Sequence, residues 1–305
     1  MQPQSPFPLR SSLLPAFAFS GSLLCAAWVG ALRAQPVVPG TTIDAAYSFS
    51  GAADAEFAGA TAGEIEVNAF AFSARHGIRA SEQLSYSVGL FYRHYAIDAS
   101  AGVPVADELR AAALDLGVTW KFAPDWSLSA RVQPGIFADG EAFDSDGFNV
   151  PGSLIASWRM NDAWVFFGGA AFDAFAEDIV LPVFGARWQA TPDLVVSLGA
   201  PRTEVAYSFG EGRSVFLGAS VQGGAFHTDD PAVVSPPGHR SLRDTEVTYR
   251  EIRVGAGVRW PLTDACTLEL EGGWMVDRRF DYDDRDLTVK TDDAAYGRIF
   301  VSTRF

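Results

Sequence analysis

Charged side chains recur at alternate positions inside otherwise apolar stretches of this chain. Asp115 and Lys121 stand in "LDLGVTWKF", Glu251 and Arg253 in "EIRVGAGVRW", and Glu269 and Glu271 in "TLELEGGWMVDRRF". Arg131, Arg159, Arg187, Arg202, Glu204 and Arg298 repeat the pattern. A period of two puts such groups on one side of a strand and the apolar residues on the other. Two kinds of chemistry suit that arrangement. The charges can pair into a salt-bridge ladder that fills a narrow interior, or they can line a passage and select solutes. Their mixed signs argue against a strongly ion-selective passage.

Other candidates are weaker. The segments "ADGEAFDSDGF" and "FDYDDRD" offer carboxylates, with Asp144, Asp146, Asp283 and Asp284 as possible Ca²⁺ ligands; the first lacks the twelve-residue calcium-hand spacing, and solvated loops explain both. Of the four histidines, His239 lies close to Ser241 but within a Pro/Gly-rich stretch, so a His–Ser hydrolase has little support. His94 beside Arg93 is expected at an outer rim, and "RHGIR" (75–79) as a basic turn. Glycine pairs in "FFGGAAF", "SVQGGAF" and "EGGW" lack the Lys-Ser/Thr of a phosphate loop and fit strand bends. No catalytic group, resident metal or cofactor is expected. A net charge of -14 argues against nucleic acid as a partner.

Stepping from these residues to the segments that hold them, alternation runs for about 9 to 15 residues at a time. Spanning strands need about 9 to 11 residues, whereas soluble strands average about 5 or 6. Leu84, Tyr86, Val88, Leu90 and Tyr92 share one face, opposite Ser85, Ser87, Gly89, Phe91 and Arg93. Connections are of two kinds. Tight ones fall at 76–82, 123–126, 160–163, 190–193, 210–212 and 261–265; mostly longer, acidic ones at 51–61, 98–107, 139–147, 173–178, 227–244 and 281–294. Trp120, Trp126, Trp158, Trp164, Trp188 and Trp260 lie beside the tight turns. An indole favours the interface between headgroups and hydrocarbon, so these six are expected to form a periplasmic aromatic girdle. Alternation of short and long connections requires a break at "GAPR" (199–202). The expected fold is therefore all-β: a closed antiparallel up-and-down transmembrane β-barrel of 14 strands, or 12 without that break.

The two ends agree. Residues 1–34 read as a signal peptide, with Arg10 ahead of an apolar stretch and small residues at plausible cleavage positions. Removal of Cys25 leaves Cys266 as the one cysteine, so no internal disulfide is expected. The barrel should occupy 41–305. Phe305 ends an alternating segment, "YGRIFVSTRF", and a terminal aromatic resembles the assembly signal of outer-membrane barrels, with Thr303 departing from the usual apolar residue.

Two segments, "LVVSLGAPRTEVAYSF" (194–209) and "WPLTDACTLELEGGWMVDRRFDYDD" (260–284), resemble an uncharacterised family of outer-membrane β-barrels. That resemblance implies a barrel and assigns no activity. The expectation is a porin-like outer-membrane protein: a passive channel with a polar, mixed-charge lumen. Its alternatives are a non-conducting structural or surface barrel and, further off, a lipid-modifying enzyme. Expected partners are outer-membrane lipid, the barrel-assembly machinery and a small solute.

Overall fold

A computed structural model describes residues 39–140, 143–234 and 240–305; the signal segment and His239 lie outside them. Alternating apolar and polar residues form seventeen strand segments among the described residues. These are β1 (Gly40–Phe57), β2 (Ala60–Arg79), β3 (Leu84–Ala99), β4 (Glu108–Ala123), β5 (Trp126–Val132), β6 (Gly135–Asp139), β7 (Phe148–Asn149), β8 (Gly152–Arg159) and β9 (Trp164–Phe172). They continue as β10 (Val180–Gln189), β11 (Leu194–Gly199), β12 (Arg202–Ser208), β13 (Ser214–Val234), β14 (Arg240–Pro261), β15 (Cys266–Tyr282), β16 (Leu287–Thr291) and β17 (Ala294–Arg304). No α-helix occurs among the described residues; Asp283–Arg285 forms a single 3₁₀ turn.

The wall is a closed antiparallel barrel of 14 strands. Going round, β1 to β5 are followed by β8 to β15 and then β17, which returns to β1. β6 prolongs β5 beyond Gln133–Pro134, and β16 precedes β17 across Asp292–Asp293. Thr42↔Arg304 through Ser50↔Tyr296 close the ring. At the closing edge Phe305 N donates to Thr41 O at 2.8 Å, and Thr41 N to Phe305 O at 3.0 Å. The break at "GAPR" is real: β11 and β12 form a short hairpin around Ala200–Pro201.

Several expected loops are instead strand. Residues 51–61 hold a two-residue turn at Ala58–Gly59, both with positive φ, because β1 and β2 extend to it. Much of 227–244 belongs to β13 and β14, and 281–294 contains the end of β15 and all of β16. β2 likewise absorbs most of the expected turn at 76–82, leaving 80–83 as the connection.

These extensions produce a second ring. Above the wide wall, at the end away from the tight turns, β1, β2, β3, β4, β6, β13, β14, β15 and β16 close on one another among the described residues. Its seam is a parallel bridge, Ala138↔His227, between β6 and the edge of β13. Asp139 Oδ2 latches the seam, accepting from Thr228 Oγ1 and from Asp229 N at 3.1 Å. Every strand of this ring sends side chains into one apolar core, including Ala55, Ile65, Tyr95, Leu109, Phe137, Phe226, Tyr249, Phe280 and Val289.

Local irregularities sit where the barrel narrows. Register shifts occur between Ser50 and Ala53 in β1 and between Ile252 and Arg253 opposite β15. Bulges bend a strand and re-aim its side chains. Gly223 in β13 adopts φ of 134°, and a Cβ there would lie 2.0 Å from Tyr249 O. A bare backbone is required at that close approach.

Candidate functional site

The outer face of the wall is apolar. Leu90, Phe184, Leu217 and Trp274 are among its exposed residues. At the tight-turn rim an aromatic chain runs along adjacent strands. Trp120 meets Phe122 (5.5 Å between centroids), Phe122 meets Trp126 (6.1 Å), and Trp126 stacks on Trp158 (5.6 Å). Trp158 stacks on Phe166, Phe166 on Trp164, and Trp164 on Trp188 (5.3 Å). Trp260 stands apart, with the Arg213 guanidinium 4.4 Å from its ring centroid. At the opposite end the outer face becomes charged. His94 Nε2 lies 3.0 Å from Glu108 Oε2, and Arg250 Nη2 lies 2.9 Å from Asp277 Oδ2. An apolar band ends in an aromatic rim on one side and in paired charges on the other, as a lipid-facing wall requires.

The inward side chains of the wide tier are charged and form two unlike walls. On β12, β14, β15 and β17 the charges neutralise one another. Glu204 holds Arg259 (2.6 Å) and Arg202 (2.8 Å), and Glu269 holds Arg259 (2.7 Å) and Arg298 (2.6 Å). Glu271 receives Arg202 at 3.1 Å and the Tyr296 hydroxyl at 2.8 Å. The Phe216 ring fills the space between Arg202 and Arg259, with their guanidinium carbons 4.8 and 4.3 Å from its centroid. Charge-assisted, partly buried contacts of this kind fix side-chain positions more than they add net stability.

The facing wall is cationic. Asp115, buried, binds both Arg75 (2.6 Å) and Arg131 (2.8 Å). Lys121, Arg159 and Arg187 are exposed near the tight turns, and none has a carboxylate within salt-bridge distance among the described residues. Arg159 and Arg187 flank Val165 in the register of β8, β9 and β10, so both point inward at one level. The expected ladder thus divides: most charges pair, and these three do not.

Between the tiers lies a sealed charged node. Glu251 and Arg278 are each 0% exposed. Glu251 accepts from Arg278 Nε at 2.9 Å, Arg253 Nε at 2.7 Å and Ser50 Oγ at 3.0 Å. Arg278 also donates to Ile65 O at 3.0 Å and to Ser50 Oγ. Glu251 and Arg253 therefore face the barrel interior in a solvent-inaccessible layer and not along an open lining. Above them, Arg93 of β3 reaches the opposite wall and donates to Gly223 O of β13 at 2.9 Å.

Sequence reasoning missed Arg75, Arg93 and Arg278. Arg75 was assigned to a turn, yet β2 continues to Arg79. Arg93 belongs to the inward face of β3, not to a rim. Arg278 shares parity with the lipid-facing Trp274, and the bulge after Met275 turns it inward. Of the calcium candidates, Asp144 Oδ1 accepts from Asp146 N (2.9 Å), and Asp284 engages Thr245 and Arg285. No cluster of three or more potential metal ligands occurs among the described residues. His76 bonds Thr41 Oγ1 at 3.0 Å, and His227 packs against Phe175.

The folded chain is similar to solved outer-membrane barrels. The COG4313 outer membrane channel from Pseudomonas putida F1 aligns over 90% of this chain and 98% of its own, at 12% identity with a TM-score of 0.51. The translocator domain of autotransporter NalP from Neisseria meningitidis covers 88% and 89% at 10% identity and a TM-score of 0.41. The Pseudomonas putida toluene transporter TodX covers 92% and 94% at 11% identity and a TM-score of 0.39. No curated protein sequence matches. Residues 78–297 match a family described as a domain of unknown function, DUF6268, and the chain, a closed 14-stranded β-barrel, belongs to that family.

Proposed function

We propose that the protein is a passive outer-membrane channel. Its working part is the charged chamber of the wide tier, opening at the tight-turn rim toward the periplasm. One observation carries this reading: a barrel of 14 strands whose inner face holds ionised side chains with water access, Arg159, Arg187 and Lys121 above all. Groups so placed let a small solute exchange its hydration for fixed charge. The fold shared with the COG4313 channel is in keeping with it. The signal segment would direct export, and Phe305 would serve the assembly machinery as a terminal signal.

A second reading, a non-conducting surface barrel, draws on the filled core of the narrow tier. Single-channel recording of the purified barrel in a planar bilayer separates them. Discrete, steady conductance steps support the channel; their absence in many insertions of a correctly folded barrel supports the scaffold.

A further inference from the structure

The axial way out of the chamber is shut. Phe280, Tyr282, Val289 and Leu242 in the narrow tier are 0% exposed, and Arg93 bonds across the bore to Gly223. The wide tier nevertheless extends sideways past the narrow one. β11 ends at Gly199 and β12 starts at Arg202, with Arg202↔Ser220 the last pair between β12 and β13. Above that pair, Val221 N still reaches Pro201 O (2.8 Å). The β13 edge next gains a strand partner at His227, from β6. On the other side of the gap, the start of β10 pairs with β9 alone until Gly185 meets Gly199. The result is a shoulder in the wall, bounded by β10, the β11–β12 tip, β13 and the overhanging β6.

One segment fills this shoulder, the connection 173–179 between β9 and β10. Ala176 packs on Ala225 of β13, with Phe175 and Leu181 beside them. Asp173 anchors the segment: its Oδ1 accepts from Asn149 Nδ2 (2.6 Å) and from Phe175 N (3.1 Å). A small crevice behind it is lined by Phe91, Arg93, Phe137, Asp173 and Gly223 to Phe226. The segment is held by side-chain packing of Phe175 and Ala176, by the Asp173 carboxylate and by a single bond across its neck, Asp173 N to Ile179 O at 3.0 Å, and it joins no strand ladder, whereas the narrow tier is held by ladders on every side. Low-stability elements of this kind open first.

We propose that segment 173–179 is a lid, and that solute passes between chamber and exterior through the shoulder beneath β6 and not along the barrel axis. This rests on the channel reading and adds the route to it.

The test uses two disulfide locks in full-length protein carrying Cys266→Ser. Ala176→Cys with Ala225→Cys fastens the lid to β13. Glu56→Cys with Lys290→Cys fastens the β1–β16 seam of the narrow tier, outside the lid contacts. Conductance of each is recorded oxidised and reduced. The lid lock should cut conductance at least tenfold, with recovery on reduction, and the seam lock should leave it unchanged. Conductance indifferent to the lid lock, or abolished by the seam lock alone, would overturn the route while leaving a channel. In parallel, 174–178 is replaced by Gly-Gly. Should the unaltered barrel be silent and the excised one conduct, the lid stands and the resting channel falls. Silence of both would defeat the lid as well.

Discussion

Arg278 and Glu251, twenty-seven residues apart on neighbouring strands, meet at 2.9 Å in a layer that water does not reach. Removing one member of a buried pair leaves the other charge unpaired, which costs about 3–5 kcal/mol. Glu251→Leu strands both Arg253 and Arg278, so it should lower the temperature at which the barrel unfolds in detergent. Glu204→Gln, in the wetter chamber, should lower it far less. Equal melting of the two variants, read from the shift of the folded band on gels, would contradict the sealed layer.

In the channel reading, the cations without a carboxylate partner among the described residues would set the ion preference. With Arg159, Arg187 and Lys121 free on one wall and the other wall self-neutralised, the conducting barrel should favour chloride over potassium by a few-fold. Field strength in a narrow mouth follows the uncompensated charge. Arg159→Glu with Arg187→Glu should reverse the sign of the reversal potential in a KCl gradient. A potential that does not move would place the ion path elsewhere.

Stacked indoles should lie at the membrane interface. Quenching of Trp fluorescence by brominated lipid should be stronger with bromine near the headgroups than with bromine at mid-chain. Trp158→Ala breaks two ring contacts, each worth about 0.5–1.5 kcal/mol beyond burial, and should lower the urea midpoint of unfolding. Strongest quenching at mid-chain would remove the girdle.

The lid faces an acid cluster. Partial burial, then Glu177, Asp281, Asp284 and Asp178, push the Asp283 carboxyl up to about 6; Arg285 compensates by pairing with Asp284. A carboxyl raised in the folded state is more at ease protonated. Its stabilising contribution is complete below its usual value near 3.8 and is lost as pH rises through about 6. Asp283→Asn should therefore raise urea resistance at pH 7.5 and leave it unchanged below pH 4. An equal effect at both values would show that the cluster is not felt.

Strand number and the paired parity of the connections were legible because each depends on local alternation or on single residue types. The hairpin at Ala200–Pro201 followed from counting turns alone. What stayed hidden depends on register. No pattern within β15 announces the bulge that turns Arg278 inward, and nothing local tells that Ala138 meets His227 eighty-nine residues on. Inward apolar residues such as Tyr95, Tyr249 and Phe280 were invisible for a different reason. Alternation shows two faces but not which is wet, and in the narrow tier the inner face is as apolar as the outer. Arg75 was lost to a turn that the chain does not make.

Two bores in one chain free each from the other. A hairpin such as β11–β12 touches none of the strands that build the narrow core except β13, at its lower half. Adding or removing a hairpin there would widen or slim the lower vestibule, while the cap above would keep its diameter and its packing.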